Sequence, residues 1–137
     1  MSKHNIWNIS WDGKYNSGFR GNKQINDTVD LIATLKMRDS EGDAEFILYR
    51  EDIENQCLSM CVAGNQWYLY FFPEDVSVCG FQSLGDDRDN RGITHMPAGS
   101  NIEVSNYTLL TSEAALNAAV EFMETGEMPL CVEWDEV

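Results

Sequence analysis

The chain has 137 residues, 43% of them hydrophobic, and this length suits a single domain that spans residues 1–137 and buries its own core. Its formal net charge of −14 argues against a protein that binds free nucleic acid or an anionic membrane surface, and favours a basic protein as partner. No apolar run approaches the roughly 20 residues of a membrane helix, and the N-terminus lacks the apolar segment of a secretory signal, so we expect a cytoplasmic protein.

Three elements are predicted in the first half of the chain. Residues 6–11 predict an N-terminal strand, the one element expected within the first 25 residues. Residues 27–37 predict a short helix, which Asn26 or Asp27 can cap. Residues 44–50 predict the next strand.

A β-hairpin is the clearest local signal. Gly64-Asn65 is a candidate two-residue turn between the runs Cys57–Ala63 and Gln66–Phe72. A turn of two residues fixes a register in which every pair on one face is apolar. These pairs are Val62 with Trp67, Met60 with Leu69, and Leu58 with Phe71. On the other face small residues lie opposite Tyr68 and Tyr70, which suits a partly exposed surface.

The second half contains a further helix and three strands. Residues 76–84 and 102–107 predict strands on either side of the polar loop 85–92. Residues 112–125 predict the longest helix, whose apolar arc spans roughly 160° and which ends at Gly126. Residues 130–134 predict a last strand with Leu130, Val132 and Trp134 on one side. The expected fold is α+β, an antiparallel sheet of about five to six strands with a central hairpin and two helices.

Known catalytic and metal-binding patterns are missing from the sequence. His4 and His95, the two histidines, are expected in a terminus and in a loop, and neither has a cysteine or a second histidine at metal-ligand spacing. The loop that starts at Asp87 resembles a calcium loop but has Arg91 and Ala98 at ligand positions. We therefore predict no enzyme activity, no metal and no cofactor.

The four cysteines are predicted to be free thiols. Cys57 and Cys61 lie four residues apart on one predicted strand, which separates their Cα atoms by about 13 Å. A disulfide requires less than about 7 Å between Cα atoms.

The distribution of charge is more informative than its total. Residues 92–137 contain eight acidic residues and no lysine or arginine. Glu121 and Glu124 fall in the last turns of the second predicted helix, where the helix dipole disfavours a negative charge by about 0.3–1 kcal/mol. A solvated acidic face and a surface for a cationic partner both explain this pattern. We name Glu121 and Glu124, with Asp86, Asp87 and Asp89 of the polar loop, as candidate contacts of a basic partner.

Tyrosines on the second face of the hairpin provide the other candidate contacts. Tyr68 and Tyr70 offer rigid area and a hydroxyl group, which interface hot spots favour. Tyrosine is also a good strand former, so the pattern alone leaves both explanations open.

The C-terminal segment resembles a known family. Its alanine-rich helix runs into Phe122, then Thr125-Gly126, Pro129 and a closing Val132-Glu133-Trp134. This order is similar to the C-terminal signature of immunity-protein family one of bacterial polymorphic toxin systems. Glu127-Met128 stand where basic residues often precede the proline in that family. We expect the motif residues to build the core, Gly126 to cap the helix and Pro129 to stop it.

The resemblance implies an immunity protein that binds and blocks a cognate toxin domain, often a nucleic-acid deaminase or nuclease. Such a toxin needs a basic substrate channel, and we expect a 1:1 complex in which that active site is covered. The alternatives are an acidic DNA mimic or adaptor that sequesters a basic nucleic-acid-binding protein, and a small-molecule-binding domain.

Overall fold

The computed structural model describes residues 6–13, 18–98 and 100–137, and for residues 98 and 100 the backbone alone. His4 lies outside these residues. The two α-helices are α1 (Thr28–Leu35) and α2 (Ser112–Thr125), and a 3₁₀ turn spans Asn106–Thr108. The strands are β1 (Trp7–Asp12), β2 (Arg20–Ile25), β3 (Asp43–Arg50), β4 (Cys57–Ala63), β5 (Gln66–Phe72), β6 (Phe81–Leu84), β7 (Ile93–Ala98), β8 (Ser100–Ser105) and β9 (Glu133–Glu136).

Seven strands form one antiparallel sheet in the order β2-β1-β3-β4-β5-β6-β9. The central β4–β5 hairpin has the predicted register, with Val62 opposite Trp67, Met60 opposite Leu69 and Leu58 opposite Phe71. The two-residue turn and the alternating apolar side chains both specify this pairing, and the prediction is confirmed.

The main core lies between one face of the sheet and the two helices. Successive side chains of a strand point to opposite faces, so alternate residues of each strand enter this layer. From the strands come Trp7, Ile9, Phe46, Leu48, Leu58, Met60, Trp67 and Phe71, and from the helices Leu31, Leu35, Ala118 and Phe122. The rings of Trp7 and Phe71 both meet the Phe122 ring edge-on, at centroid distances of 5.0 and 5.6 Å. The predicted core position of Phe122 is confirmed.

α1 begins at the predicted cap Asp27 but ends at Leu35, before the predicted limit at residue 37. α2 begins at the cap Thr111 and ends at the predicted Gly126. The Asp27 carboxylate accepts a hydrogen bond from the Asp30 N–H at 2.8 Å, and the Thr111 hydroxyl accepts one from the Ala114 N–H at 3.2 Å. Gly126 ends α2 with φ of 72°, a left-handed conformation that glycine adopts without steric cost. Local sequence therefore determines these helix boundaries.

A second hairpin, β7–β8, covers part of the other face of the sheet. It lies over β3 and β4, and with them it encloses a smaller apolar cluster of Cys61, Tyr68, Met96 and Val104. β7 was not predicted, because His95 and Pro97 in this segment suggest a loop. Proline is compatible with β7 because the strand pairs on one side only, with β8.

The predicted α+β class and the two α-helices are confirmed, but the strand count of five to six is too low. The main sheet has seven strands and a separate sheet has two. β2 was not predicted either, since its residues Arg20–Ile25 are mostly polar and exposed.

The strand predicted over residues 76–84 is only partly correct, because regular pairing begins at Phe81. A turn occupies the preceding segment: the Asp75 carboxylate accepts hydrogen bonds from the N–H and the hydroxyl of Ser77, at 3.0 and 2.7 Å. Short side chains that bond to nearby backbone groups compete with the strand ladder in this way.

The last strand also begins later than predicted, at Glu133 rather than at Leu130. Leu130 is 83% exposed, so its predicted place on the apolar side is wrong. Val132 and Trp134 do pack against the core. The strand that was predicted over residues 102–107 lies at Ser100–Ser105.

The four cysteines are free thiols, as predicted. Cys61 is buried and Cys57 half-buried, whereas Cys79 and Cys131 are exposed. Burial raises the pKa of the Cys61 and Cys57 thiols.

Candidate partner-binding surface

The predicted contacts Asp86 and Asp87 line an open groove of about 530 Å³ at one end of the sheet. The groove, hereafter the acidic groove, lies between the loop of residues 85–92, the β4–β5 turn and the start of α2. The segment of residues 131–133 closes its remaining side. Asp89 belongs to the same loop and is exposed. Asp86 and Asp87 therefore lie on the rim of the groove, and Asp89 follows them in the same exposed loop.

Close backbone contacts fix the base of this loop. The Gly85 N–H donates to the Tyr107 carbonyl oxygen at 2.8 Å. A Cβ atom at position 85 would lie 1.9 Å from the Leu109 carbonyl oxygen, so only glycine fits. Asn90 closes the loop: its N–H donates to the Asp87 carbonyl oxygen at 3.1 Å and its side-chain oxygen accepts from the Gly92 N–H at 2.9 Å.

Both arginines of the loop, Arg88 and Arg91, contact other groups of the same chain. Arg88 forms an ion pair with Glu133 of β9 and donates to the Gly85 carbonyl oxygen. Arg91 donates to the Arg88 carbonyl oxygen at 3.1 Å and lies 5.6 Å from the centre of the Tyr107 ring. These contacts join the loop to β9 and leave the aspartates as its outward charges. Sequence analysis did not identify Glu133 as a partner of this loop, since the pair spans 45 residues.

Glu121 has an intramolecular role. Its two carboxylate oxygens accept hydrogen bonds from the Leu130 N–H at 2.6 Å and the Cys131 N–H at 3.1 Å. These bonds hold the pKa of the Glu121 carboxyl below its ordinary value, and the bond from the Leu130 N–H has the largest effect. They also replace the strand pairing that was predicted for Leu130. The unfavourable position at the end of α2 is thus compensated inside the chain, and a cationic partner is not needed to explain it.

Glu124 lies in the last turn of α2 and is exposed. No ion pair involves it among the residues that the structure describes. Its negative charge lies at the negative end of the helix dipole, and it accepts no backbone hydrogen bonds like those that stabilise Glu121 in the described structure.

Tyr68 is buried, 8% exposed, beneath the β7–β8 hairpin, so the prediction that it stands on a partly exposed face is wrong. Its hydroxyl donates to the Gln82 side-chain oxygen at 2.9 Å, and the Gln82 amide donates to the Asp135 carboxylate at 3.1 Å. Burial raises the pKa of Tyr68 to about 12. The cause of the error is the missed β7–β8 hairpin.

Tyr70 is half-buried, and its ring lies 4.6 Å from the Phe72 ring, centre to centre. Both rings lie on the sheet face opposite the helices, whereas Glu121 and Glu124 belong to the helix that covers the other face. The seven predicted contacts therefore do not form one surface. The three aspartates belong to the loop beside the acidic groove, and the tyrosines and glutamates lie elsewhere.

Neither a metal site nor a membrane helix is found in the described part of the chain. No group of three or more His, Cys, Asp or Glu side chains there is placed to hold a metal ion. His95 lies in β7 rather than in a loop, and its Nε2 is 3.5 Å from Glu103. No helix in that part is long and apolar enough to span a bilayer.

Comparison with known families gives a match over most of the chain. The family model described as immunity protein Imm1 matches residues 20–136. The match covers all elements from β2 to β9, and so includes the C-terminal motif as well as the acidic groove. No curated protein matches the chain.

Proposed function

Because the chain belongs to the Imm1 family of immunity proteins, we propose that it binds a cognate toxin domain and neutralises it by covering its active site. Family membership is the observation that carries this proposal. It favours an inhibitor rather than an enzyme, and a protein rather than a small molecule as the partner. We place the encounter in the cytoplasm, where a toxin that attacks nucleic acid acts.

The charge of the chain supports a basic partner. The eight acidic residues after Arg91 have no lysine or arginine among them. In the described structure Glu133 pairs with Arg88, while Glu113, Glu124, Glu127 and Glu136 are exposed and form no ion pair. A deaminase or nuclease domain attracts a polyanionic substrate with basic side chains, so this surface and that channel are complementary.

The predicted contacts take different roles in this proposal. Asp86, Asp87, Asp89 and Glu124 act as exposed charges that accelerate association with a basic toxin domain, by a factor of about 10–10³ at low salt. Glu121 holds the segment that borders the acidic groove. Tyr68 supports the sheet beneath the hairpin, and Tyr70 offers a partly exposed ring.

Co-expression with the toxin domain encoded beside this chain tests the proposal. The wild-type chain should restore growth, and the purified pair should have the mass of a 1:1 complex by light scattering. A variant with Asp86→Asn, Asp87→Asn and Asp89→Asn should associate more slowly, and the difference should vanish as salt is raised. Failure of the wild-type chain to rescue growth or to form a complex would contradict the proposal.

Binding to unrelated basic proteins distinguishes the alternative function. An acidic mimic of DNA would bind many cationic nucleic-acid-binding proteins with similar affinity. An immunity protein should bind its own toxin domain far more tightly than a panel of such proteins at 0.15 M salt. Comparable affinities for the toxin domain and for the panel would contradict the proposed function and favour a DNA mimic.

A further inference from the structure

In the described part of the chain, no segment covers the part of the sheet face opposite the helices that contains Tyr49 and Phe72. The β7–β8 hairpin lies over the half that contains Cys61 and Tyr68. Cys57 pairs with Phe72, and Leu48 pairs with Leu58. One residue further along this antiparallel register, Tyr49 comes opposite Cys57, so the three residues form a row across β3, β4 and β5. Tyr49 is 37% exposed and Phe72 41% exposed. Two large aromatic side chains of a regular sheet therefore face solvent side by side on alternate strands.

The neighbouring Tyr70 ring is held in place. It packs against Phe72 on one side and against the backbone of Gly80 on the other, where an added Cβ atom would come within 2.4 Å of the ring. The φ of 149° at Gly80 also disfavours any other residue. A ring fixed in this way loses little conformational freedom when a partner binds.

A hollow of about 270 Å³ adjoins the rings. Phe72, Pro73, Val76 and Val78 form its apolar lining, and Val76 is 75% exposed. Tyr49, Tyr70, Phe72 and Val76 are hereafter the aromatic patch. The patch thus combines partly exposed aromatic rings with a depression large enough for one apolar side chain.

Exposed apolar side chains are concentrated at this end of the sheet. Ile6 and Val137 lie here as well: the Ile6 carbonyl oxygen accepts from the Glu51 N–H, and the Val137 N–H donates to the Gly80 carbonyl oxygen. Five of the eight exposed large hydrophobic residues of the described structure are therefore at one end: Ile6, Tyr49, Phe72, Val76 and Val137. Such a concentration is typical of an interaction surface.

Acidic side chains border the aromatic patch. The loops of residues 51–56 and 73–80 flank it and contain Glu51, Asp52, Glu54, Glu74 and Asp75 but no lysine or arginine. The Arg50 Nε–H donates to the Asp52 carboxylate at 2.6 Å. Glu51, Glu54 and Glu74 are exposed and form no ion pair within the described part of the chain. An apolar centre with an acidic border complements a partner that has an apolar side chain among basic ones.

We propose that the aromatic patch is the surface on which the toxin domain docks, inserting an apolar side chain between lysine or arginine residues into the hollow beside Phe72. This inference rests on the proposed function and adds to it the location of the contact. The aspartates of the acidic groove, at the opposite end of the sheet, then attract the partner but are not buried by it.

A double substitution, Tyr49→Ala with Phe72→Ala, tests the patch. Both side chains are exposed, so the variant should keep its fold, which circular dichroism and thermal unfolding check. Its affinity for the toxin domain should fall by at least about 30-fold, the loss that one interface hot spot produces, through faster dissociation. The matched control is Val29→Ala with Leu130→Ala, which removes two side chains exposed by 75% and 83% outside the patch and should leave affinity unchanged.

The outcomes separate the two proposals. If the wild-type chain does not bind the toxin domain, both fall. If the wild-type chain binds and the Tyr49→Ala/Phe72→Ala variant binds equally well, the patch is not the docking surface and the proposed function stands. If the isolated wild-type chain is a dimer that the same variant dissociates, a second copy of this chain occupies the patch, and the docking proposal is wrong.

Discussion

The carboxylate of Glu121 occupies an unfavourable position in α2 and is stabilised from outside the helix. Its repulsion by the helix dipole costs about 0.3–1 kcal/mol, whereas each of the two backbone hydrogen bonds from residues 130 and 131 contributes about 1 kcal/mol. The two hydrogen bonds together contribute more than the dipole repulsion costs, so Glu121 stabilises the segment that connects α2 to β9.

Substitution Glu121→Gln should destabilise the fold by about 1 kcal/mol at pH 7, because it removes the charge and one acceptor oxygen. The folded-state pKa of Glu121 is below its unfolded value, so the contribution of the carboxylate is complete above the unfolded value and is lost as pH falls through the folded one. Urea unfolding at pH 7 and at pH 3 should therefore show a difference between wild type and variant that shrinks in acid. Glu124→Gln is the control, since no hydrogen bond to its carboxylate is present in the described structure. An undiminished difference at pH 3 would contradict this account.

Gly85 is required by a close approach of two backbone segments. Replacing it with alanine should destabilise the fold by about 2–3 kcal/mol, because the new Cβ atom would meet the Leu109 carbonyl oxygen at 1.9 Å and push the loop from its anchor. Denaturant unfolding measures the loss. Gly64→Ala is the matched control: the φ of 62° costs about 1 kcal/mol, but nothing lies within 4 Å. Equal losses for the two variants would show that the contact at Gly85 is unimportant.

At the scale of elements, the β7–β8 hairpin decides which part of the sheet is available to a partner. Its hold on the sheet depends on a small cluster in which Met96 of β7 is completely buried against Cys61 and Tyr68. A satellite core of this size allows the hairpin to open without unfolding the whole domain.

Met96→Ala should therefore expose Cys61 as well as destabilise the fold. Removing a buried methionine side chain costs about 2–3 kcal/mol, and most of this cost falls on the attachment of the hairpin. Site-resolved mass spectrometry after alkylation should show Cys61 modified at least about 10-fold faster than in wild type. Ile93→Ala, at a residue of the same strand that is 55% exposed, is the control and should leave the rate unchanged. An unchanged Cys61 rate in Met96→Ala would mean that the hairpin opens only with global unfolding.

For the whole molecule, a net charge of −14 on 137 residues produces self-repulsion that opposes compaction. Ion pairs at the surface of the described structure relieve part of this repulsion, for example Lys23 with Asp30 at 2.5 Å and Arg20 with Asp12 at 3.3 Å. Isolated surface pairs contribute at most about 1 kcal/mol each, so most of the repulsion remains.

Raising sodium chloride from 0.1 to 1 M should increase the melting temperature, because the Debye length falls from about 10 to about 3 Å. A variant with Glu124→Gln, Glu127→Gln and Glu136→Gln, all exposed in wild type, should start from a higher melting temperature and gain less from salt. Differential scanning calorimetry measures both. A melting temperature that falls with salt would show that attractive pairs outweigh repulsion.

Features that depend on neighbouring residues were predictable from the amino-acid sequence. The β4–β5 register follows from a two-residue turn and alternating side chains, and the helix limits follow from Asp27, Thr111 and Gly126. The family could be recognised for a similar reason, since its motif from Phe122 to Trp134 is continuous in the chain.

Which surfaces are covered depends on contacts between segments that are distant in the sequence. Tyr68 and Phe72 alternate on one face of the same strand, yet the first is buried by a hairpin about 30 residues later and the second faces solvent. Glu121 and Glu124 look alike in sequence, but the chain returns to donate two hydrogen bonds to one of them only. Contacts between distant segments set burial and pairing, and for this reason local pattern predicted the elements and could not predict the partner surface.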